Sequence, residues 1–165
     1  HPAYRDIQKQ DAIEVQEKNA TVRVLSGIYK EHKGAVKGEY VKVQYLDVKL
    51  EPDTLWHYQE TPNNQTLFLY LIEGTLAADD ALVDFEEKAC AILMSSSSAK
   101  STENDEVLVK AGTGGAHFFL IAAKPLKEPV AWGGPIVMNT EEELNKAFQE
   151  LEEDSFIKHK KPQKL

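Results

Sequence analysis

The sequence predicts an all-β protein, two packed antiparallel sheets or a jelly-roll barrel, with one C-terminal α-helix. Three observations carry this. About eight short apolar runs recur at intervals of ~8–15 residues, separated by turns rich in Gly, Asp and Asn. No segment of helical period interrupts them before residue 140. In "VKVQYLDVKL" the apolar phase changes partway: Val41, Val43 and Tyr45 face one way, then Leu46, Val48 and Leu50 take over. Such a slip is what a β-bulge or bend in a curved sheet leaves behind.

The elements follow in order. Residues 1–20, opening "HPAYRDIQKQDAIEVQ", are mostly polar without a sustained period and read as a linker or inter-domain arm emerging from something upstream. The missing initiator methionine reads as processing, cutting or expression of a fragment. From Thr21 the pattern is strands: "TVRVLSG" alternates and stops at Gly27. "GIYKEHKGAVKGEY", with glycines at 34 and 38 and lysines between, suits a long solvated hairpin or loop. "TLFLYLIEG", residues 66–74, is nearly all apolar, as in a strand buried on both faces or meeting another layer. Short strands are expected around "ALVDF", "ACAILM", "EVLV" and "HFFLIAA". The polar stretch "SSSSAKSTENDE", residues 95–106, reads as an exposed loop open to proteolysis.

A helix is expected over about 140–154, in "NTEEELNKAFQELEEDSF". Thr140 with Glu143 forms a capping-box pattern, and Glu141 and Glu142 suit the positive end of the helix dipole. Leu144, Ala147, Phe148 and Leu151 fall on one stripe, while Glu150, Glu152, Glu153 and Asp154 read as a solvated face. The domain is expected to span 21–156, followed by a basic, disordered tail over 157–165.

With 165 residues and 42% hydrophobic content, one domain, or one domain with an arm, is expected. A net charge of −8 repels a phosphate backbone, so no nucleic-acid partner is expected; the basic tail "KHKKPQK" reads as a solvated end. No apolar run approaches the ~20 residues that span a bilayer, so no membrane association is expected. The single cysteine, Cys90, lies in "ACAILM" and reads as a buried structural thiol; with no export signal, a cytoplasmic setting is expected. There is no Gly-x-Ser-x-Gly nucleophile elbow, and "AGTGGAH" lacks phosphate-loop spacing. His32 and His159 read as solvated.

At "PLKEPVAWGGPIVMNTEEELNKAF", residues 125–148, the sequence resembles the C-terminal end of the pirin family, within the cupin superfamily. Upstream, "TVRVLSGIY", "TLFLYLIEGTL" and "GGAHFFLIAAKPL" resemble, in order, strands of that family's second cupin. The resemblance covers about residues 20 to 156 and implies a cupin double-stranded β-helix. Pirin-like proteins have two tandem barrels, with iron held in the first by three histidines and a glutamate; the second generally carries no metal. This chain resembles the second. The resemblance therefore implies no cofactor here, iron in a missing N-terminal cupin, and a partner that is that cupin or a second copy. It further implies that the segment after the last strand contacts the other barrel. Pro129, Pro135 and Gly133-Gly134 fix its path, and Trp132, Ile136, Met138 and Phe148, with Pro135, are the expected interface. Trp132 packing back on its own barrel is the alternative.

Metal-binding cupins are similar in a His-x-His-x(3,4)-Glu-x(6)-Gly element and a later Gly-x-x-His element. Counting back from Gly74 puts Leu67 at the glutamate and Glu60-Thr61-Pro62-Asn63 in the histidine region. Only His117, in "GGAH", fits its element. His57 and Glu60, in "LWHYQETPNN", are the remaining candidates, so His57, Glu60 and His117 form the runner-up ligand set; an open catalytic metal site needs about three protein ligands.

Two functions stand. One is a metal-free scaffold and interaction half of a pirin-like protein, which the resemblance links to quercetin 2,3-dioxygenase activity or redox-sensitive regulation. The other is a stand-alone single-barrel metal-dependent dioxygenase or isomerase.

Overall fold

Period-2 alternation of apolar residues builds a first unit, His1–Pro125, which the chain follows with a second, Leu126–Leu165. The computed structural model describes residues 6–61, 65–78, 83–85, 91–94 and 105–158. Cys90, residues 95–104 and residues 159–165 lie outside the described residues.

The first unit holds β1 (Ile13–Glu17), β2 (Ala20–Ser26), β3 (Ile28–Tyr29), β4 (His32–Lys33), β5 (Gln44–Leu50), β6 (Leu55–Thr61), β7 (Thr66–Ala78), β8 (Val83–Phe85), β9 (Ala91–Met94) and β10 (Asp105–Ala123). β3 and β4 form a small separate hairpin. The rest join one sheet in the order β1-β2-β5-β10-β7-β8, with β6 on β10 and β9 on β7, and every pairing between these strands is antiparallel. β7 and β10, 13 and 19 residues long, organise it. The first part of β10 lies between β6 and the end of β7; its last part lies between β5 and the start of β7. The ladder between them shifts register from Ala111 to Ala116, so the sheet curls over its own core. Gly74 sits at this break with φ +81, and a Cβ there would lie 2.1 Å from the Gly115 carbonyl oxygen, so only glycine fits.

Alternate side chains from both halves of the curled sheet meet inside. Val22 and Val24, Leu46 and Val48, Leu69 and Leu71, and Phe118 and Leu120 are buried against Trp56, Tyr58, Leu76, Val107 and Val109. Full burial of each such side chain contributes roughly 1.5–3 kcal/mol before entropy is counted.

Several sequence expectations meet their outcome here. The phase change at Tyr45 and Leu46 coincides with a register shift, Val24 pairing Leu46 and Ser26 pairing Tyr45; the extra residue, Leu25, is on β2 rather than β5. Leu67, Leu69 and Leu71 of β7 are buried, while Phe68 and Ile72 on its other face are half-buried and Tyr70 is exposed. "EVLV" and "HFFLIAA" belong to one bent strand, β10. Residues 13–17, expected as part of a linker, form β1. Its register with β2 runs from Ile13–Val24 to Glu17–Ala20 around a two-residue turn, where Asn19 takes φ 64. No residue of β1 is fully buried, which is why no alternation announces it.

The second unit is β11 (Ala131–Gly133) paired with β12 (Ile136–Met138), then α1 (Glu141–Glu152). Thr140 caps α1 as expected: its hydroxyl accepts from the Glu143 N–H at 3.2 Å, and the Glu143 carboxylate accepts from the Thr140 N–H at 3.1 Å. Ala131, Ile136, Leu144 and Ala147 form a small core with Met138 packed against it. Among the described residues, no helix is long and apolar enough to cross a membrane.

Candidate functional site

On β6, Trp56 and Tyr58 point into the core, so His57 between them points away from it. Its Nε2 lies 2.9 Å from Glu106 Oε2, and the Gln59 amide donates to the other oxygen of Glu106 at 3.2 Å. On β10, Ala116 and Phe118 are buried, so His117 also faces outward. Its Nε2 donates to Asp47 Oδ1 at 2.6 Å.

Asp47 is the centre of a row that runs across four strands. Arg23 of β2 is in register with Asp47 of β5 and donates Nη1 to its Oδ2 at 3.1 Å; its Nη2 reaches Glu14 of β1 at 3.3 Å. The His117 ring also meets Phe119 edge-on at 6.3 Å between centroids, and Phe119 meets Tyr45 at 5.2 Å and 90°. The Asp47 side chain is 11% exposed, so this row is half-buried rather than solvated. Burial, and after it the Asp47 carboxylate, push the Tyr45 phenol above its ordinary value.

The core between the halves of the sheet is filled with rings. Trp56 stacks on Tyr58 at 5.9 Å and meets Phe118 at 5.8 Å, and Tyr29 stacks on Tyr58 at 6.2 Å. Among the described residues, the buried Trp56 Nε1–H meets no hydrogen-bond partner.

This donor set does not fit the iron centre of three histidines and a glutamate that metal-bearing cupins carry. His57 and His117 project from outer faces, each against its own carboxylate, and do not converge; the Glu60 side chain lies outside the described residues. Among the described residues, no group of three or more His, Cys, Asp or Glu side chains is placed to hold a metal ion.

The expected interface residues divide in two. Ile136 and Met138 turn inward onto α1. Trp132 and its cross-strand partner Val137 turn outward, the indole 76% exposed with its N–H donating to the Gly134 carbonyl at 2.7 Å. Pro135 is exposed at the turn, and Phe148 is partly covered because its ring rests against Gly133, where a methyl would come within 2.8 Å of it. Sequence reasoning passed over Val137, Leu126 and Val130, all exposed apolar residues, because single valines and leucines near prolines carry no periodic signal. It also passed over Arg23 and Asp47, whose one signal is that both are charged positions within alternating strands.

The chain is similar to known proteins in sequence and fold. A sequence model of the pirin C-terminal cupin domain matches residues 45–157. Human Pirin is 34% identical over 151 residues, covering 89% of this chain and 48% of its own. A Thermoplasma acidophilum protein with a provisional quercetin 2,3-dioxygenase name is 30% identical, covering 98% of this chain and 60% of that one. The crystal structure of quercetin 2,3-dioxygenase from Acinetobacter baumannii matches with a TM-score of 0.79 at 26% identity, over 94% of this chain and 51% of that one. The chain thus spans about half the length of most of the curated relatives it matches. With the curled antiparallel sheet and its C-terminal helix, these matches show that the chain belongs to the pirin C-terminal cupin domain family.

Proposed function

We propose that this chain is the metal-free half of a two-barrel pirin-like protein, a scaffold and docking face for an N-terminal cupin barrel that holds iron. The observation that carries this reading is the outward face of the hairpin, where Trp132 and Val137 pair across the strands and stand open; on the helix, Leu151 is also exposed and Phe148 is only partly covered. A domain seldom leaves an indole and its cross-strand neighbour open without a partner. Two further observations support it: the relatives are about twice as long, and the two candidate histidines are committed to carboxylates. The partner is the N-terminal cupin of the same protein or a second copy, in a cytoplasmic setting. By analogy with its relatives, the whole protein acts as a quercetin-type dioxygenase or a redox-sensitive regulator. This half shapes the cleft between barrels and transfers no electrons.

Elemental analysis of the purified 165-residue chain is the test. The expected result is trace metal only, unchanged in His57→Ala and His117→Ala. Near-stoichiometric iron, copper, nickel or manganese that disappears in either variant would overturn the reading and favour a stand-alone metal-dependent dioxygenase or isomerase.

A further inference from the structure

Between β2 and β5 the chain leaves the main sheet, and the segment lines a partly open cavity of about 370 Å³. Ile28, Val36 and Val43 give it apolar walls, and Lys33, Lys37 and Lys42 line it as well; no carboxylate does. Among the described residues, no acidic group stands within ion-pair distance of these lysines, whereas Arg23 is held by Glu14 and Asp47 and Lys30 by Glu17. In a chain of net charge −8, three lysines lining one apolar cavity with no carboxylate in ion-pair distance are a local reversal of charge.

The cavity is framed by backbone. Gly34 N–H donates to the Gly27 carbonyl at 2.9 Å and Val36 N–H to the Leu25 carbonyl at 3.2 Å. The Gln44 side chain pairs with Ile28 in both directions, accepting from its N–H at 3.0 Å and donating to its carbonyl at 2.8 Å. The Ser26 hydroxyl donates to the Val43 carbonyl at 2.8 Å. Both ends of the segment are therefore tied to the sheet, and the cavity needs little ordering before a ligand enters. Its volume lies at the small end of the range for small-molecule sites, which are likewise mostly apolar with a few placed polar groups.

We propose that this cavity binds a small organic anion, a short apolar body bearing one carboxylate or phosphate head. The hydrocarbon displaces water from Ile28, Val36 and Val43, and the head is held by lysines, whose ammonium groups act as mobile point charges suited to either head. Neither half of the ligand suffices alone. The proposal is independent of the docking-face reading, since it concerns another surface.

The test is a titration of the ¹⁵N-labelled full chain with octanoate, octyl phosphate, 1-octanol and inorganic phosphate, following amide shifts. Octanoate or octyl phosphate is expected to give saturable shifts at Gly27, Gly34 and Gly38, and octanol and inorganic phosphate are not. A Lys33→Gln/Lys37→Gln/Lys42→Gln variant with an unchanged melting temperature is expected to bind the better anion ~10-fold more weakly or worse. Three results overturn the proposal: no saturation by either amphiphilic anion, octanol or phosphate binding as tightly as they do, or full affinity retained in the triple variant.

Discussion

Asp47 serves two partners with one carboxylate, and this decides what its loss does. Asp47→Ala leaves the His117 ring without its carboxylate and the Arg23 guanidinium with Glu14 alone in a half-buried row. The expected destabilisation is about 1–3 kcal/mol in urea unfolding. His57→Ala removes a pair whose two side chains are 40% and 57% exposed, and is expected to change stability by no more than about 0.5 kcal/mol. Equal effects would show that the Asp47 row is solvated. Tyr45 gives a second residue-scale test. Its phenol is raised above the ordinary 10.0, first by burial and then by Asp47. The folded chain keeps this proton to higher pH than the unfolded chain does. The stabilisation is therefore complete below about pH 10 and fades as pH climbs through the raised value. Subtracting the phenolate absorbance titration of Tyr45→Phe from that of the parent should isolate a component with its midpoint above 10.0; one at or below that value contradicts the assignment. None of this row was legible in the sequence, because Arg23 and Asp47 become neighbours only through the β2–β5 register. The outward direction of His57 also came only from the structure, because β6 turns Trp56 and Tyr58 on either side of it into the core.

At the scale of elements, local signals succeeded where one residue's chemistry fixes a backbone group. Thr140 and Glu143 placed the start of α1 because each satisfies an N–H the other leaves orphaned. Strand β1 escaped notice because it buries no complete face, and β10 read as two strands because "GTGGA" looks like a turn when it is a bend within one ladder. The hairpin of β11 and β12 shows what a segment of three-residue strands can do: one face meets α1 through Ala131 and Ile136, the other leaves Trp132 and Val137 open. On α1, Leu144 and Ala147 are covered, Phe148 is partly covered against Gly133, and Leu151 is exposed, so its apolar stripe is not fully used. If that surface docks a second barrel or a second copy, Trp132→Ala and Phe148→Ala should weaken association in sedimentation while barely moving the melting temperature. Unchanged association with a badly lowered melting temperature would place both rings in the chain's own packing.

At the scale of the whole molecule, alternation of apolar residues determined the all-β class and the core, since a strand with one buried face must repeat every second residue. The stretch from residue 125 to 148 was specific enough to indicate the family without coordinates. Tertiary structure alone decided which charges meet and which apolar residues stay open. It set Asp47 between Arg23 and His117, held His57 and His117 each against its own carboxylate, and gathered Lys33, Lys37 and Lys42 around one cavity. The reason is physical: hydrophobic burial is read from local pattern, whereas a pairing or a cavity depends on strand register and loop path, which set distances between residues far apart in the chain.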